Sequence, residues 1–434
     1  MKLGEMVSLV RGNTYKSSLL SETDGPVLLG LGSIERGGGF KRGSWKRYPG
    51  YTDIKILLHP GNIYVSLKDL TQSCDLLGAV SRVPDDLPVG RLTQDTVKLE
   101  FNSNVSEQER LYVYWSLRTP QYRAYCKARG TGTTNMSLSR ADFLAWELPP
   151  RSPVRDMLIA LFELIDKKIE LNNQLNGYLE ELFSLRFREI LESGGKSWTS
   201  ASLLDIADYK NGLAMQKYRP LKGDPGLPVL KIRELGQGYC GSDSERCTTD
   251  IDGSVTIDDG DLVFSWSGTL LLRFWAGGRA GLNQHLFKVT SEQYPSWFYY
   301  AWTKHHLARF VMLAKDRATT MGHIKRSALA ESSVVVPPIQ ILEQQTKLMQ
   351  PIVDDIVSNM VENRKLALLR DALLPKLMSG EIDVSKVNLT QLNSHLAQIR
   401  KLNDAPLATT DLGFRFDRSH YTPLLYNPSS SQQQ

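Results

Sequence analysis

Basic and aromatic side chains interleave in one stretch near the N-terminus, which has the composition of a nucleic-acid contact. Between Arg36 and Tyr51 the chain carries five cations, four aromatic residues and three consecutive glycines, but no acidic residue. Lysine and arginine neutralise phosphates, while aromatic faces and arginine forks contact bases or sugars. The stretch therefore predicts DNA contacts, although an ordinary solvated loop would have a similar composition. The candidates here are Arg36, Lys41, Arg42, Trp45, Lys46 and Arg47.

Further candidates are scattered through both halves of the chain. Asparagine and glutamine suit adenine, arginine suits guanine, and threonine or loop N–H groups suit phosphates. Taken alone, each of these residues favours a structural role over base reading. In the first half they are Arg82, Arg91, Arg129, Thr133, Thr134 and Asn135. In the second half they are Lys231, Arg233, Arg273, Arg279, Asn283, Gln284, His285, Arg317, Thr319, Thr320, His323 and Lys325.

Motifs for catalysis are missing from the sequence. It has no GxxxxGK[ST] loop for nucleotide phosphates, and the glycines at 30 and 32 lack the third glycine of a dinucleotide loop. The proline pairs at 149–150 and 337–338 lack the flanking Asn or Asp and aromatic residue of an amino-methyltransferase. The four cysteines form no CxxC pair, and the histidines do not cluster with metal-ligand spacing. We predict no catalytic residue and no metal site.

Composition indicates an ordinary globular protein of two or three domains. The chain has 434 residues, 41% hydrophobic and 23% charged, with a formal net charge of +5. It has no apolar run of membrane-spanning length, and its N-terminus lacks the features of a signal peptide. We therefore expect a cytoplasmic protein with reduced thiols and no membrane partner.

Two long helices are predicted to position the candidate residues. Each opens after a proline pair and closes at a glycine, Gly194 or Gly380, with apolar residues in steps of three and four. The narrow stripes predict an antiparallel two-helix coiled coil whose register is set by polar asparagines. Pro351 is expected to kink the second helix or delay its start. The predicted seam consists of Leu158, Leu161, Ile165, Asn172, Leu179, Leu182, Leu348, Ile352, Ile356, Asn359, Leu366 and Leu369.

A dimerisation coil, or two helices packed separately on their own domains, would show the same periodicity. The internal repeat favours an intramolecular pair: GPVLLG, GNIYVS and LTQDTVKL have counterparts in LPVLKI, GDLVFS and LNQHLFKV. We predict an α+β fold with two tandem mixed α/β domains, separated by the paired helices and related by a pseudo-twofold repeat. The predicted segments are a first domain 1–150, a helix 151–195, a second domain 196–338, a helix 339–382 and a tail 383–434, partly disordered.

Four runs make the chain resemble the specificity subunits of type I restriction–modification systems. They are GTTNMSLSRADFLAWELPP at 132–150, IDKKIELNNQLNGYLEELF at 165–183, ATTMGHIKRSALAESSVVVPP at 318–338 and LLRDALLPKLMSGEI at 368–382. The resemblance covers roughly residues 1–385, and neither Pro351 nor the tail matches it. It implies two target-recognition domains, each reading one half of a split, asymmetric DNA sequence, with the paired helices as the spacer.

The resemblance also implies a division of labour. The partners would be double-stranded DNA, two methyltransferase subunits packed on the helices, and restriction–translocase subunits in a larger complex. S-adenosylmethionine, ATP and magnesium would act on those partner subunits, and this chain would hold no cofactor. A two-gene restriction enzyme with a fused methyltransferase–nuclease partner remains the nearest alternative. A self-contained DNA-modifying enzyme and a coiled-coil scaffold without a DNA role are more distant ones.

Overall fold

A computed structural model describes residues 1–43, 45–70, 72–133, 135–195, 197–315 and 324–380. The chain divides into two compact units. The first comprises Met1–Ile165 together with the segment from Leu369, and the second comprises Asp166–Leu368. The predicted tail 383–434 lies outside the described residues. Of the helices in the described ranges, none is long and apolar enough to cross a bilayer.

The first unit is built on two small sheets. Its strands are β1 (Val7–Arg11), β2 (Val27–Leu29), β3 (Leu57–Leu58), β4 (Ile63–Ser66), β5 (Lys68–Asp69), β6 (Val80–Arg82), β7 (Gly90–Leu92), β8 (Thr96–Phe101) and β9 (Met136–Ser137). One sheet is antiparallel with the order β1-β8-β4-β6. The other has the order β2-β7-β3, in which β2 and β7 are parallel, and a separate ladder joins β5 to β9. Both faces of the β2–β7 pair are buried, as in parallel sheets generally.

Three short helices complete this unit: α1 (Glu107–Ser116), α2 (Pro120–Arg129) and α3 (Arg140–Leu144). The structure divides the stretch Glu107–Arg129 into two helices, α1 and α2. Thr119 caps a new helix through its side chain, and Pro120 occupies a first-turn position, where a missing N–H costs nothing. The buried aromatic face of α1, centred on Trp115, packs into the main core of the unit.

The second unit repeats part of this order of elements. Its strands are β10 (Thr199–Ser202), β11 (Asp208–Asn211), β12 (Leu227–Leu230), β13 (Arg246–Cys247), β14 (Thr256–Ile257), β15 (Leu262–Ser265), β16 (Leu272–Phe274), β17 (Ala280–Leu282), β18 (Leu286–Thr290) and β19 (Ser333–Val336). The sheets have the orders β11-β18-β15-β16 and β13-β12-β17-β14, and β10 pairs with β19. Again one pair, β12 with β17, is parallel. Its helices are α4 (Leu203–Ile206), α5 (Ile232–Gln237), α6 (Ser296–Lys315) and α7 (Arg326–Ala330).

Short 3-10 turns link these elements in both units. They are Leu3–Glu5, Ser17–Leu19, Leu31–Ser33, Ile54–Ile56, Met215–Lys217 and Gly253–Val255.

The two long helices are Pro153–Glu192, which we call the first long helix, and Ile339–Ser379, the second long helix. The second begins directly after its proline pair and continues through Pro351, so the expected delay in its start does not occur. Together with the mixed sheets, the helices confirm the predicted α+β fold class.

Within the second unit the long helices run antiparallel. The Asn172 amide donates to Glu362 (2.7 Å) and to Asn363 (2.8 Å), whereas Asn176, one turn further on, contacts Ile356 and Asn359. A higher residue number on the first long helix thus pairs with a lower residue number on the second, as expected for antiparallel helices. Asn172 is only 2% exposed, so its side chain is buried in the seam, whereas its partners Glu362 and Asn363 are half-buried.

Three predicted seam residues lie outside the seam. Leu182, Leu348 and Leu369 are 42%, 55% and 48% exposed. The buried stripe of the first long helix passes instead through Phe183, Phe187 and Ile190. Of the other predicted seam residues, Leu158, Ile165, Asn172, Ile352 and Ile356 are buried, and Leu161, Leu179, Asn359 and Leu366 are half-buried.

Distant parts of the chain build the first unit. Leu158 and Phe162 share its core with Leu374 and Leu377. The Arg155 guanidinium donates to the carbonyl oxygens of Leu377 and Met378, both at 2.8 Å. These bonds satisfy carbonyls at the end of the second long helix, which have no partner inside that helix.

Candidate nucleic-acid interface

In the first unit, one edge of the parallel strand pair gathers polar groups. Because β2 and β7 are parallel, their carboxyl ends meet at the same edge, where Leu29 pairs with Leu92. Asn13 lies alongside through a bridge to Thr93. The Thr96 hydroxyl donates to the Leu29 carbonyl at 2.8 Å and fixes the turn.

In the second unit the same edge has the same construction. Leu230 pairs with Leu282, and Leu213 bridges to Asn283. The residues that follow the strands, Lys231 on one side and Asn283, Gln284 and His285 on the other, are candidates from the sequence. The structure therefore brings these four candidates to one edge.

Beside that edge lies a cluster of ring and amide groups in the second unit. The His285 Nδ1 is 3.2 Å from the Ser267 hydroxyl, and its ring lies 6.0 Å from that of Trp266. The Trp266 indole donates to the Asn211 side chain at 3.0 Å. Trp266 and Asn211 were not among the candidates predicted from the sequence, because neither lies in a basic stretch. The repeated strand pattern could have indicated them, since it places residues 211 and 266 next to β18.

The basic stretch of the first unit is partly engaged by the protein itself. Arg42 forms a two-pronged ion pair with Asp86 (2.6 and 3.0 Å), and Arg36 lies 3.7 Å from Asp75. Arg47 donates to the Gly25 carbonyl at 3.1 Å and is half-buried. Lys41 and Lys46 are exposed, and the half-buried Trp45 packs edge-on against Phe40. Lys41 and Lys46 are thus the cations of this stretch most accessible to a phosphate.

Glycines at 37–39 shape this stretch. All three have positive φ, from +82° to +112°. At Gly38 a Cβ would lie 3.1 Å from both the Arg118 side chain and the Val80 carbonyl. The glycine stretch therefore packs closely on the rest of the first unit.

Arg91 requires a correction. It was predicted to contact DNA, but it is 1% exposed. Its guanidinium donates to the Thr14 and Leu92 carbonyls and to Thr52, and lies 4.8 Å from the Tyr48 ring centre. Burial lowers its pKa. Arg91 is therefore a structural arginine.

Two more arginines have internal structural bonds. Arg82 pairs with Glu163 on the first long helix at 2.9 Å and lies over the Tyr114 ring. Arg273 donates to the Leu235 and Gly236 carbonyls, and burial lowers its pKa. Both guanidinium groups are therefore engaged by the protein itself.

Most of the remaining described candidates are on the surface of their units. In the second unit Lys231 binds Glu245 at 3.0 Å, and this hydrogen bond lowers the pKa of Glu245. Arg233 pairs with Glu234 and Asp243, and Arg129 covers the Tyr125 ring at 3.9 Å. Thr133, Asn135, Arg279 and Lys325 are exposed, whereas Asn283 is buried and Gln284 is half-buried. Thr134, Arg317, Thr319, Thr320 and His323 lie outside the described residues.

The described residues include no group of three or more His, Cys, Asp or Glu side chains able to hold a metal ion. The side chains at the two edges can form hydrogen bonds, stack rings and neutralise phosphates, which are the interactions that recognise a ligand.

Comparisons with known proteins bear on what these edges recognise. Residues 195–366 match the family model described as the type I restriction modification DNA specificity domain. The chain is 24% identical over 310 residues to the type I restriction enzyme MjaIX specificity subunit of Methanocaldococcus jannaschii, which covers 64% of this chain and 70% of that protein. It is 23% identical over 145 residues to the EcoBI specificity subunit of Escherichia coli, over 33% of this chain and 30% of that one.

A solved structure shares the fold. The crystal structure of a type I restriction–modification S subunit from M. genitalium superposes with a TM-score of 0.52 at 15% identity, covering 87% of this chain and 95% of that chain.

Proposed function

We propose that this chain is a specificity subunit of a type I restriction–modification system, and that it binds double-stranded DNA and reads a target in two halves. Each unit reads one half-site. The observation that carries the proposal is the repeated strand edge, which appears once in each unit with a different set of side chains.

The differences between the two edges support two different half-sites. The first unit has Thr93 and Asn13 at this edge, next to a basic stretch, whereas the second has Asn283, Gln284 and His285. Base edges are distinguished by the donors and acceptors that meet them, so edges with different side chains select different bases. The antiparallel seam supports a fixed spacer between half-sites, because the buried Asn172 and the polar bonds across the seam favour one register.

We further propose that this chain does not catalyse, and that methyl transfer, ATP hydrolysis and cleavage belong to methyltransferase and restriction–translocase subunits bound to it. The relatives support this division, since they are named as specificity subunits. S-adenosylmethionine, ATP and magnesium then act on the partners.

A face of the first long helix suits such a partner. Five apolar residues at alternating steps of four and three are exposed by between 38% and 61%. They are Leu171, Leu175, Tyr178, Leu182 and Leu185, which we call the exposed stripe. The spacing places them on one face, adjacent to the buried seam. We propose that a methyltransferase subunit covers this stripe.

Methylation mapping tests the proposed reading of DNA. The chain is co-expressed with the methyltransferase encoded beside it, and methyladenine is mapped by single-molecule sequencing. The expected result is one asymmetric, split motif. Exchanging residues 1–150 for the matching segment of another specificity subunit should change one half-site and keep the other. A motif that changes in both halves, or no motif at all, would refute the proposal.

The stripe is tested by introducing negative charges into it. Leu175→Glu combined with Tyr178→Glu should abolish co-purification with the methyltransferase and leave thermal unfolding of the isolated chain unchanged, since both residues are exposed. Leu221→Glu, at an 80% exposed leucine elsewhere in the second unit, is the matched control and should keep the complex. Retention of the complex by the double variant would exclude the stripe as the contact.

A further inference from the structure

A loop of the first unit, Pro49–Ile56, presents two apolar side chains to solvent. Tyr51 is 92% exposed and Ile54 is 80% exposed. Tyr51 is the most exposed large hydrophobic side chain among the described residues. Exposing such groups is unfavourable in water, so a pair of them on one short loop indicates a surface that becomes covered.

The loop is held firmly from beneath. The Arg91 Nε donates to the Thr52 hydroxyl at 3.2 Å, and its guanidinium lies 4.8 Å from the Tyr48 ring centre. At Gly50 a Cβ would come within 2.5 Å of the Tyr48 ring, so the backbone sits directly on that ring. The Asp53 carboxylate accepts from the Lys55 backbone N–H at 2.9 Å and closes the turn. The buried Arg91 therefore supports the loop that exposes Tyr51.

Exposed lysines before and within the loop favour an anionic occupant. Lys46 precedes the loop and Lys55 lies in it, so the two flank Tyr51 in sequence. Asp53 is the acidic residue of the loop, and its carboxylate is engaged in the turn. An aromatic ring can stack on a base while nearby ammonium groups meet phosphates, which is how aromatic residues and cations bind nucleic acid elsewhere.

We propose that the 49–56 loop is a wedge that acts on duplex DNA, with Tyr51 stacking at a base step that it opens and Ile54 filling the space beside it. The proposal rests on the proposed function, because it requires the first unit to bind DNA. Unstacking a step costs free energy, which the new stacking and the burial of Ile54 offset. The first unit would then select its half-site partly by how easily that step opens.

The test uses the full chain assembled with its methyltransferase subunit. The probes are duplexes that carry the mapped motif with 2-aminopurine placed at successive positions of the half-site read by the first unit. This base fluoresces when unstacked. Binding should raise the fluorescence at one step. Tyr51→Ala should abolish that rise and weaken binding on the order of tenfold, a loss typical of one stacked base. Tyr51→Phe, which keeps the ring, should retain both.

Salt dependence separates a wedge from a phosphate contact. Tyr51→Ala should leave the slope of log affinity against log salt unchanged, whereas Lys46→Ala should reduce it by about one. Leu70→Ala, at a 64% exposed leucine of the same unit, is the matched apolar control and should change neither affinity nor fluorescence.

The outcomes distinguish the two proposals. If the unaltered complex fails to prefer the mapped duplex over a scrambled one, the proposed function fails. If it prefers that duplex but Tyr51→Ala binds normally with unstacking intact, the wedge alone is refuted. If Tyr51→Ala binds DNA normally but loses the methyltransferase, the loop is a protein contact and the wedge is likewise refuted.

Discussion

Glu163 anchors the first unit to the first long helix, and its removal has a calculable cost. Both of its oxygens accept from the Arg82 guanidinium, at 2.9 and 3.0 Å, and one also accepts from the Trp115 indole at 2.6 Å. Trp115 is fully buried. In Glu163→Ala the N–H of this buried indole loses its partner, which costs about 1–3 kcal/mol.

The ion pair adds a smaller amount. Both side chains are about one-quarter exposed, so solvent screens the pair and its loss adds roughly 1 kcal/mol. We therefore expect Glu163→Ala to lower the free energy of unfolding of the first unit by about 2–4 kcal/mol. Glu181→Ala, at an exposed glutamate of the same helix, should change it by less than about 0.5 kcal/mol.

Hydrogen exchange with mass spectrometry measures the effect unit by unit. Protection should fall by the predicted free energy in peptides covering α1 and stay unchanged in the second unit. A double-mutant cycle isolates the indole bond: in a Trp115→Phe background, Glu163→Ala should cost less by about 1–2 kcal/mol. Equal costs in both backgrounds would refute the assignment of the penalty to the buried indole.

Three further predictions concern other buried groups. Arg91→Lys should destabilise the first unit by about 2–4 kcal/mol, because an ammonium cannot reproduce the fork of bonds that Arg91 makes, and urea unfolding would show it. Asn172→Ala, which removes two bonds across the seam, should cost the second unit about 1–2 kcal/mol by hydrogen exchange, whereas the exposed Gln174→Ala should cost almost nothing. Burial raises the pKa of Cys126 to about 11, so at pH 8 its thiolate is about 100-fold scarcer than at the ordinary value. Iodoacetamide should accordingly modify Cys126 at least about 100-fold faster in urea than in the native protein, and similar rates would contradict the burial.

The fold class and the two long helices followed from sequence because periodicity and repetition extend over many residues. Which apolar row of the first long helix is buried could not be predicted from the sequence. On the first long helix, Leu175 and Leu182 form one apolar row, while Leu179, Phe183 and Phe187 form another, offset by one residue. Both rows have coiled-coil spacing, so only the packing of Phe183 and Phe187 into the core of the second unit decides which is buried.

Single side chains were harder to assign than elements. Arg91 lies in a Gly-Arg-Leu strand, and no local pattern shows that both faces of that strand are covered by the unit. Arg82 was equally ambiguous, because its partner Glu163 is 81 residues away in the chain. Charged residues that bind DNA and charged residues that hold a domain together have the same composition, and only tertiary contacts separate them.

The way the first unit is assembled affects its biosynthesis. Its core needs Leu374 and Leu377, and Arg155 needs the carbonyl groups near the end of the second long helix, although the unit begins at residue 1. The second unit, by contrast, is one uninterrupted segment. On the ribosome the later segment can finish folding first, while the earlier one waits for the last turns of that helix to emerge. A premature stop codon after residue 368 would therefore damage the N-terminal unit, far from the lesion in sequence.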